Sequence, residues 1–201
     1  MAMILASQSP RRRELLGQMG FSFTVRPAKG EELPHPELTP AQLVEELARQ
    51  KALEVSAEAA SDDVVVAADT VVAIDGKVLG KPHDKVHAAQ MLSALSGREH
   101  TVYTGVAVKR GETLLVEHEA TLVRFRPLTQ REIHLYIQTG EPMDKAGGYG
   151  IQGYGALLVE GIRGDYFNVV GLPICRLGRM LAQVGEDALA QCAQKCAEKE
   201  R

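Results

Sequence analysis

Tryptophan is absent from the 201-residue chain, and aromatic residues make up only 4% of it. A stacking platform for single-stranded nucleic acid is therefore excluded. Cysteine is scarce: Cys175, Cys192 and Cys196 are too few and too C-terminal for a disulfide framework. Cys192 and Cys196 stand four apart with no further Cys or His at ligand spacing, which excludes a zinc ribbon or finger. No uninterrupted apolar run approaches the roughly 20 residues that cross a bilayer. No basic segment leading into a long apolar one opens the sequence, as it would in a signal peptide. The expectation is a cytoplasmic protein with no membrane partner. Positive charge is not in excess either, the net charge being -3, so a general binder of nucleic-acid polymers is not indicated. Internal repeats and long linkers are also missing.

What is present is an ordinary globular composition, 45% hydrophobic and 24% charged, enough for one domain or two small lobes with a real core. A domain is expected over residues 1–185, with a charged Ala-rich tail over 186–201. Met3–Ala6 reads as a buried first strand. Ser9 caps and Pro10 opens a helix that runs to Met19 and stops at Gly20. Residues 26–38 read as a loop. Thr39-Pro40-Ala41-Gln42 is a capping box for a helix to about Ala57. Val64–Ile74 is an apolar strand, and Asp75-Gly76 turns it into a hairpin with Lys77–Leu79. Asp84 caps a helix that ends at Ser96-Gly97. Strands follow at Thr101–Lys109 and Thr113–Arg126, then a second capping box, Thr129–Glu132. Further strands are expected at Ala156–Val159 and Tyr166–Val170, and a last core helix over Pro173–Val184. Helices mixed with strands and hairpins indicate α/β with a mixed sheet.

Several residues stand where they cost stability. Arg11-Arg12-Arg13 occupy the first turn of a helix, where the macrodipole favours anions. With Ser7, Ser9 and the free N–H groups of that turn they form a phosphate cradle or, more plainly, a solvated basic turn. Asp69 interrupts the apolar run Val64–Ile74, and an unpaired buried carboxylate costs several kcal/mol. It is catalytic, metal-linked, salt-bridged for structure, or on an exposed face. Lys51 continues the Leu43, Leu47 series and either snorkels to water or reaches across a cleft. Asp144–Gly153 is a loop where glycine lets backbone approach a ligand and Asp144, Lys145 and Gln152 supply polar groups. It fits neither the dinucleotide fingerprint nor a Walker A loop. Lys81-Pro82 and Ser96-Gly97-x-x-His100 are weaker signals. Many cations around few acids, without a nucleophile–base pair, suit a polyphosphate and a divalent ion with water as nucleophile.

In order, Ser7-x-Ser9-Pro10-Arg11-Arg12, Ala68-Asp69-Thr70, Lys81-Pro82, Ser96-Gly97-x-x-His100-x-Val102-x-Thr104-Gly105 and Asp144–Gly153 resemble the Maf family of nucleoside triphosphate pyrophosphatases. The resemblance runs from residue 3 to about residue 182. It implies an elongated mixed sheet flanked by helices, with a cleft between two lobes, similar to inosine triphosphate pyrophosphatases. It implies hydrolysis between the α- and β-phosphates with Mg²⁺ or Mn²⁺. Asp69 matches the proton acceptor, by direct base action or through metal. Arg11, Lys51, Lys81 and Lys145 match basic positions that neutralise the triphosphate, and Glu31 or Glu32 an acidic position that helps hold metal. Arg12, Thr70 and Gln152 match the branch acting on dTTP and UTP, with modified uridine triphosphates as an extension. An amide suits a uracil or thymine edge, since it donates to O4 and accepts from N3–H. The branch favouring 7-methyl-GTP has S-P-W-R, Asp-Gln and Glu in those motifs, and none of these is present. A nucleotide-binding regulator of septum formation is the rival of another class. Small-molecule nucleotides are the expected partners, and homodimers are common for such folds.

Overall fold

The computed structural model describes residues 1–30, 35 and 37–199. Its centre is β3 (Val64–Ile74), whose Val-rich sequence suits a strand covered on both faces. Along one edge it pairs antiparallel with β5 (Glu99–Arg110), from Val65 opposite Lys109 to Ala73 opposite Thr101. β5 continues antiparallel into β6 (Thr113–Phe125), which pairs with β7 (Val159–Arg163). On the other edge of β3, residues 64–66 take β1 (Met3–Leu5) in parallel, and residues 72–74 take β4 (Lys77–Leu79) antiparallel. β2 (Phe23–Val25) lies parallel beyond β1. Between β1 and β4, residues 67–71 of β3 have no strand neighbour on that edge among the described residues. This break in a seven-stranded mixed sheet locates the site.

Side-chain alternation decides what each face of β3 meets. Val65 and Ala67 pack on Ala48, Ala52 and Val55 of α2 (Pro40–Ser56). Val64, Val66 and Ala68 face the other way, onto Leu15 and Leu16 of α1 (Pro10–Gln18) and Leu177 and Leu181 of α6 (Ile174–Gln183). Farther along that same face, Val72 and Ile74 join a separate cluster. It includes Leu92 and Leu95 of α3 (Lys85–Leu95) and Ile133 and Ile137 of α4 (Gln130–Gln138). Each fully buried Leu, Ile or Val contributes about 1.5–3 kcal/mol. Thr70 stands in the seam between the two clusters, and Asp69 breaks the apolar series on the α2 face.

The caps form as their sequences dictate. Ser9 accepts from the Arg12 N–H, Asp84 from that of His87, and Thr39 with Gln42 and Thr129 with Glu132 close reciprocal boxes. Asp75 and Gly76 both have positive φ, 51° and 74°, the mirror-image turn that matches strand twist. Two expected strands are corrected. Residues 166–170 form the one-turn helix α5 (Tyr166–Val170). Their aromatic, β-branched make-up suggests a strand, but Asp165 caps the Phe167 N–H and Gly171 ends the turn at φ 121°. The strand expected at 156–159 begins only at Val159, because Tyr154–Leu157 coil into a 3-10 turn. β2 was not foreseen: three residues give too short a pattern. The tail forms α7 (Ala188–Lys199), where the Cys192 thiol donates to the Met19 carbonyl at the end of α1. No helix among the described residues is long and apolar enough to cross a membrane.

Candidate active site

The break beside β3 opens into a cleft of about 1480 Å³. Ser7 and Ser9 reach it from the turn between β1 and α1, Arg11 and Arg12 from the first turn of α1, and Lys51 from α2. Asp69 and Thr70 come from β3, and Lys81 from the turn after β4. Lys145 and Gln152 come from the glycine-rich segment. The fold thus gathers ten of the residues predicted for the site. The other two, Glu31 and Glu32, lie outside the described residues.

Where β1 ends, the chain turns into α1, whose first residue, Pro10, has no N–H and whose Arg12 and Arg13 N–H groups are taken by Ser9. The Ser7 Oγ accepts from the Ser9 N–H (3.2 Å) and the Arg12 Nη1 (3.3 Å). The Ser9 Oγ accepts from the Arg12 N–H at 3.4 Å. Both hydroxyls are occupied as acceptors within the turn and retain a hydrogen to donate. Hydroxyl donors and neighbouring cations make an anion cradle at the start of α1. Arg12 itself spans three elements, its Nε donating to the Gly171 carbonyl (2.8 Å) and its Nη2 to the Thr70 Oγ1 (2.9 Å). A Cβ at Gly171 would make only ordinary contact with Thr70 and Arg12, and it is the φ of 121° that favours glycine there.

On the opposite face of β3, the Lys51 Nζ lies 2.5 Å from the Asp69 Oδ1, with side chains 20% and 13% exposed. Gly105 is what lets them meet. Gly105 pairs with Asp69 across β5, and a Cβ there would collide with the Val44 backbone, so α2 sits directly on the strand. Leu47 and Lys51 then fall at helical spacing along the cleft wall.

The glycine-rich segment is held by groups that sequence reasoning missed. The Glu141 Oε1 accepts from the Tyr136 hydroxyl (2.8 Å) and the Gly155 N–H (2.9 Å), and its Oε2 from the Tyr154 N–H (2.8 Å). Tyr136 accepts in turn from the Gly150 N–H at 3.2 Å. Gln152 is presented by the loop between these anchors. Burial opposes the Glu141 charge, but the Gly155, Tyr136 and Tyr154 donors outweigh it and hold the carboxyl below its usual range. The available signal was a carboxylate placed just before a glycine run whose N–H groups need acceptors. Lys145 donates to the Glu141 carbonyl (2.9 Å) and to the Asp144 Oδ1 (2.6 Å), and Arg11 lies 3.8 Å from the Asp144 Oδ2. At Asp144 too burial is outweighed, chiefly by Lys145, and the carboxyl is held low. The Gly147 N–H donates to the Gly80 carbonyl, tying the loop to the turn where Lys81 stands exposed. Behind the loop, the His100 Nε2 and Tyr149 hydroxyl are 2.7 Å apart. Burial pushes His100 down to about 4, and it does not line the cleft, so it is a neutral structural pin behind the loop.

Among the described residues, no cleft serine or cysteine is hydrogen-bonded to a histidine. The cleft offers Asp69, the clamped carboxylates Glu141 and Asp144, several cations and hydroxyl donors, a set suited to a polyphosphate attacked by water. No three His, Cys, Asp or Glu side chains converge among the described residues. A magnesium-type ion nevertheless needs only one or two carboxylates beside substrate phosphates, and Asp69 suits it as one of them.

Residues 2–184 match the family described as Maf-like protein. A dTTP/UTP pyrophosphatase of Symbiobacterium thermophilum is 54% identical over 184 residues, covering 91% of this chain and 94% of that protein. A dTTP/UTP pyrophosphatase of Moorella thermoacetica is 54% identical over 188 residues, covering 92% and 96%. The solved nucleoside-triphosphatase / dITP/XTP pyrophosphatase of Mycobacterium abscessus is 18% identical, with a TM-score of 0.45 over 92% of this chain and 97% of that one.

Proposed function

Because the chain belongs to the Maf-like family, we propose that it hydrolyses dTTP and UTP to the nucleoside monophosphate and pyrophosphate. Relatives bearing that name at 54% identity over more than nine-tenths of the chain support the substrate. The observation that carries the chemistry is the Asp69–Lys51 pair at the gap in the sheet, 2.5 Å apart and bordered by phosphate donors.

Ser7 and Ser9, beside the start of α1, donate their hydroxyl hydrogens to phosphate oxygens. Arg11, Lys51, Lys81 and Lys145 neutralise the charge that builds on the departing pyrophosphate. Asp69 receives the proton of a water whose oxygen bonds to the α-phosphorus. The bond from that phosphorus to the oxygen bridging to the β-phosphate breaks, and pyrophosphate leaves with its electron pair. A divalent ion held by Asp69, with Glu31 or Glu32, would supply charge neutralisation and acidify bound water. Arg12, Thr70 and Gln152 select the base. Three cysteines that are all free fit a cytoplasmic enzyme.

The test is a panel of nucleoside triphosphates with Mg²⁺ or Mn²⁺, scored for pyrophosphate. dTTP and UTP are expected to release it, and Asp69→Asn to lower kcat by about 10²–10⁴. Tight UTP binding without turnover, or orthophosphate as product, would overturn the reading.

A further inference from the structure

Thr70 and Thr104 are register partners on β3 and β5, their hydroxyl oxygens 2.9 Å apart. Thr70 borders the cleft, whereas Thr104 is wholly buried behind it. A threonine hydroxyl has one hydrogen and two acceptor lone pairs. Thr104 gives its hydrogen to the Asn168 carbonyl at 3.0 Å, a group that only accepts. The contact between the threonines therefore uses the hydrogen of Thr70. On its other side Thr70 accepts from the Arg12 Nη2, at 2.9 Å, a group that only donates. Its hydrogen and one lone pair are engaged, and one lone pair remains. The carbonyl that sets this direction is itself fixed, because the Asn168 Nδ2 donates to the Val102 carbonyl (3.0 Å) and the Thr121 Oγ1 (2.9 Å).

We propose that Thr104 is a positioning residue for base selection, holding the Thr70 hydroxyl as a pure acceptor so that the base edge meeting it must bring a hydrogen. This rests on the dTTP/UTP reading above. Uracil and thymine carry N3–H at that edge, whereas cytosine presents a bare N3 lone pair, which a lone pair of Thr70 repels. The edge is then divided, Gln152 donating to O4 and Thr70 accepting from N3–H. Without the Thr104 hydroxyl, Thr70 is free to turn its hydrogen into the cleft and accept cytosine.

The test is kcat/KM for UTP, dTTP and CTP in wild type, Thr104→Val and Thr104→Ser. Thr104→Val is expected to lower the UTP-over-CTP ratio about tenfold, while Thr104→Ser keeps it within about threefold. In a Thr70→Val background, Thr104→Val should change the ratio no further. A ratio unmoved by Thr104→Val in the wild-type background overturns the proposal, and would mean that the Gln152 amide reads O4 and N3–H alone. An equal fall in Thr104→Ser overturns it as well. Wild type supplies a check independent of the variants' folding. A methyl group on N3, in 3-methyluridine triphosphate, must drop turnover to the level of CTP or below, and turnover at the UTP rate overturns the proposal. A wild-type protein that hydrolyses neither UTP nor dTTP would instead overturn the reading of function.

Discussion

At the scale of single residues, β3 puts two chemistries next to each other and on opposite faces. Asp69 points to α2 and its Lys51, and Thr70 to α1 and its Arg12. Replacing Lys51 by Met keeps the aliphatic stem and removes the charge. It should lower kcat/KM for UTP by about 10², measured by pyrophosphate release, and an unchanged value would remove Lys51 from the phosphate set. His100 makes a different prediction, about pH. Burial holds it at about 4 in the folded chain, against an ordinary 6.5. Above 6.5 it is neutral in both states and contributes no pH dependence. From 6.5 down to about 4 the unfolded chain binds a proton that the folded chain refuses. Stability therefore falls with pH across that window, by at most about 3 kcal/mol. Urea unfolding of wild type and His100→Gln at pH 7.5 and pH 5 checks it, the variant being expected to lose less. Asp69 was legible in the sequence because a charge inside an apolar run has to be explained. The role of Thr104, though it stands in a quoted motif, and that of Asn168 were not legible, because they lie in the direction of hydrogen bonds between distant segments.

At the scale of elements, the helix starts were readable because caps act over three or four residues. The glycine-rich segment was recognised as a close-approach loop, but its anchors were not, since Tyr136 and Glu141 act on backbone N–H groups beyond any local motif. Residues 166–170 were misread because their composition favours a strand, while Asp165 and Gly171 close a single turn. Glu141→Gln keeps the shape of the clamp and removes its charge. It should raise KM for UTP several-fold, about 1–2 kcal/mol of lost charged hydrogen bonding, with a smaller change in kcat, because Asp69 stands on another element. Equal loss in kcat and unchanged KM would place Glu141 with the chemistry instead. Gly105→Ala tests the seating of α2. Its methyl group would meet the Val44 backbone, and the expected cost is about 1–3 kcal/mol in unfolding free energy, with loss of activity as Lys51 is lifted from Asp69.

At the scale of the molecule, one face of the sheet holds two core clusters separated at Thr70, and the other holds α2. The cleft takes Ser7 and Arg12 from beside the first cluster and Lys145 from beside the second, while Gln152 follows Ile151, which packs on the first. A nucleotide that touches all of these ties two separately packed regions together, so its binding free energy is also folding free energy. Asp69→Asn is suited to the measurement, because it removes the proton acceptor and leaves the phosphate and base contacts in place. At a nucleotide concentration about 100 times Kd, the variant should gain roughly 2.7 kcal/mol. For a chain of this size that is a rise in Tm of about 5–10 °C. UTP and dTTP should give the full shift and CTP less, because selection by Thr70 precedes any bond breaking. A shift of equal size with all pyrimidine triphosphates would mean that the phosphates alone bridge the two regions and that the base is chosen only during turnover.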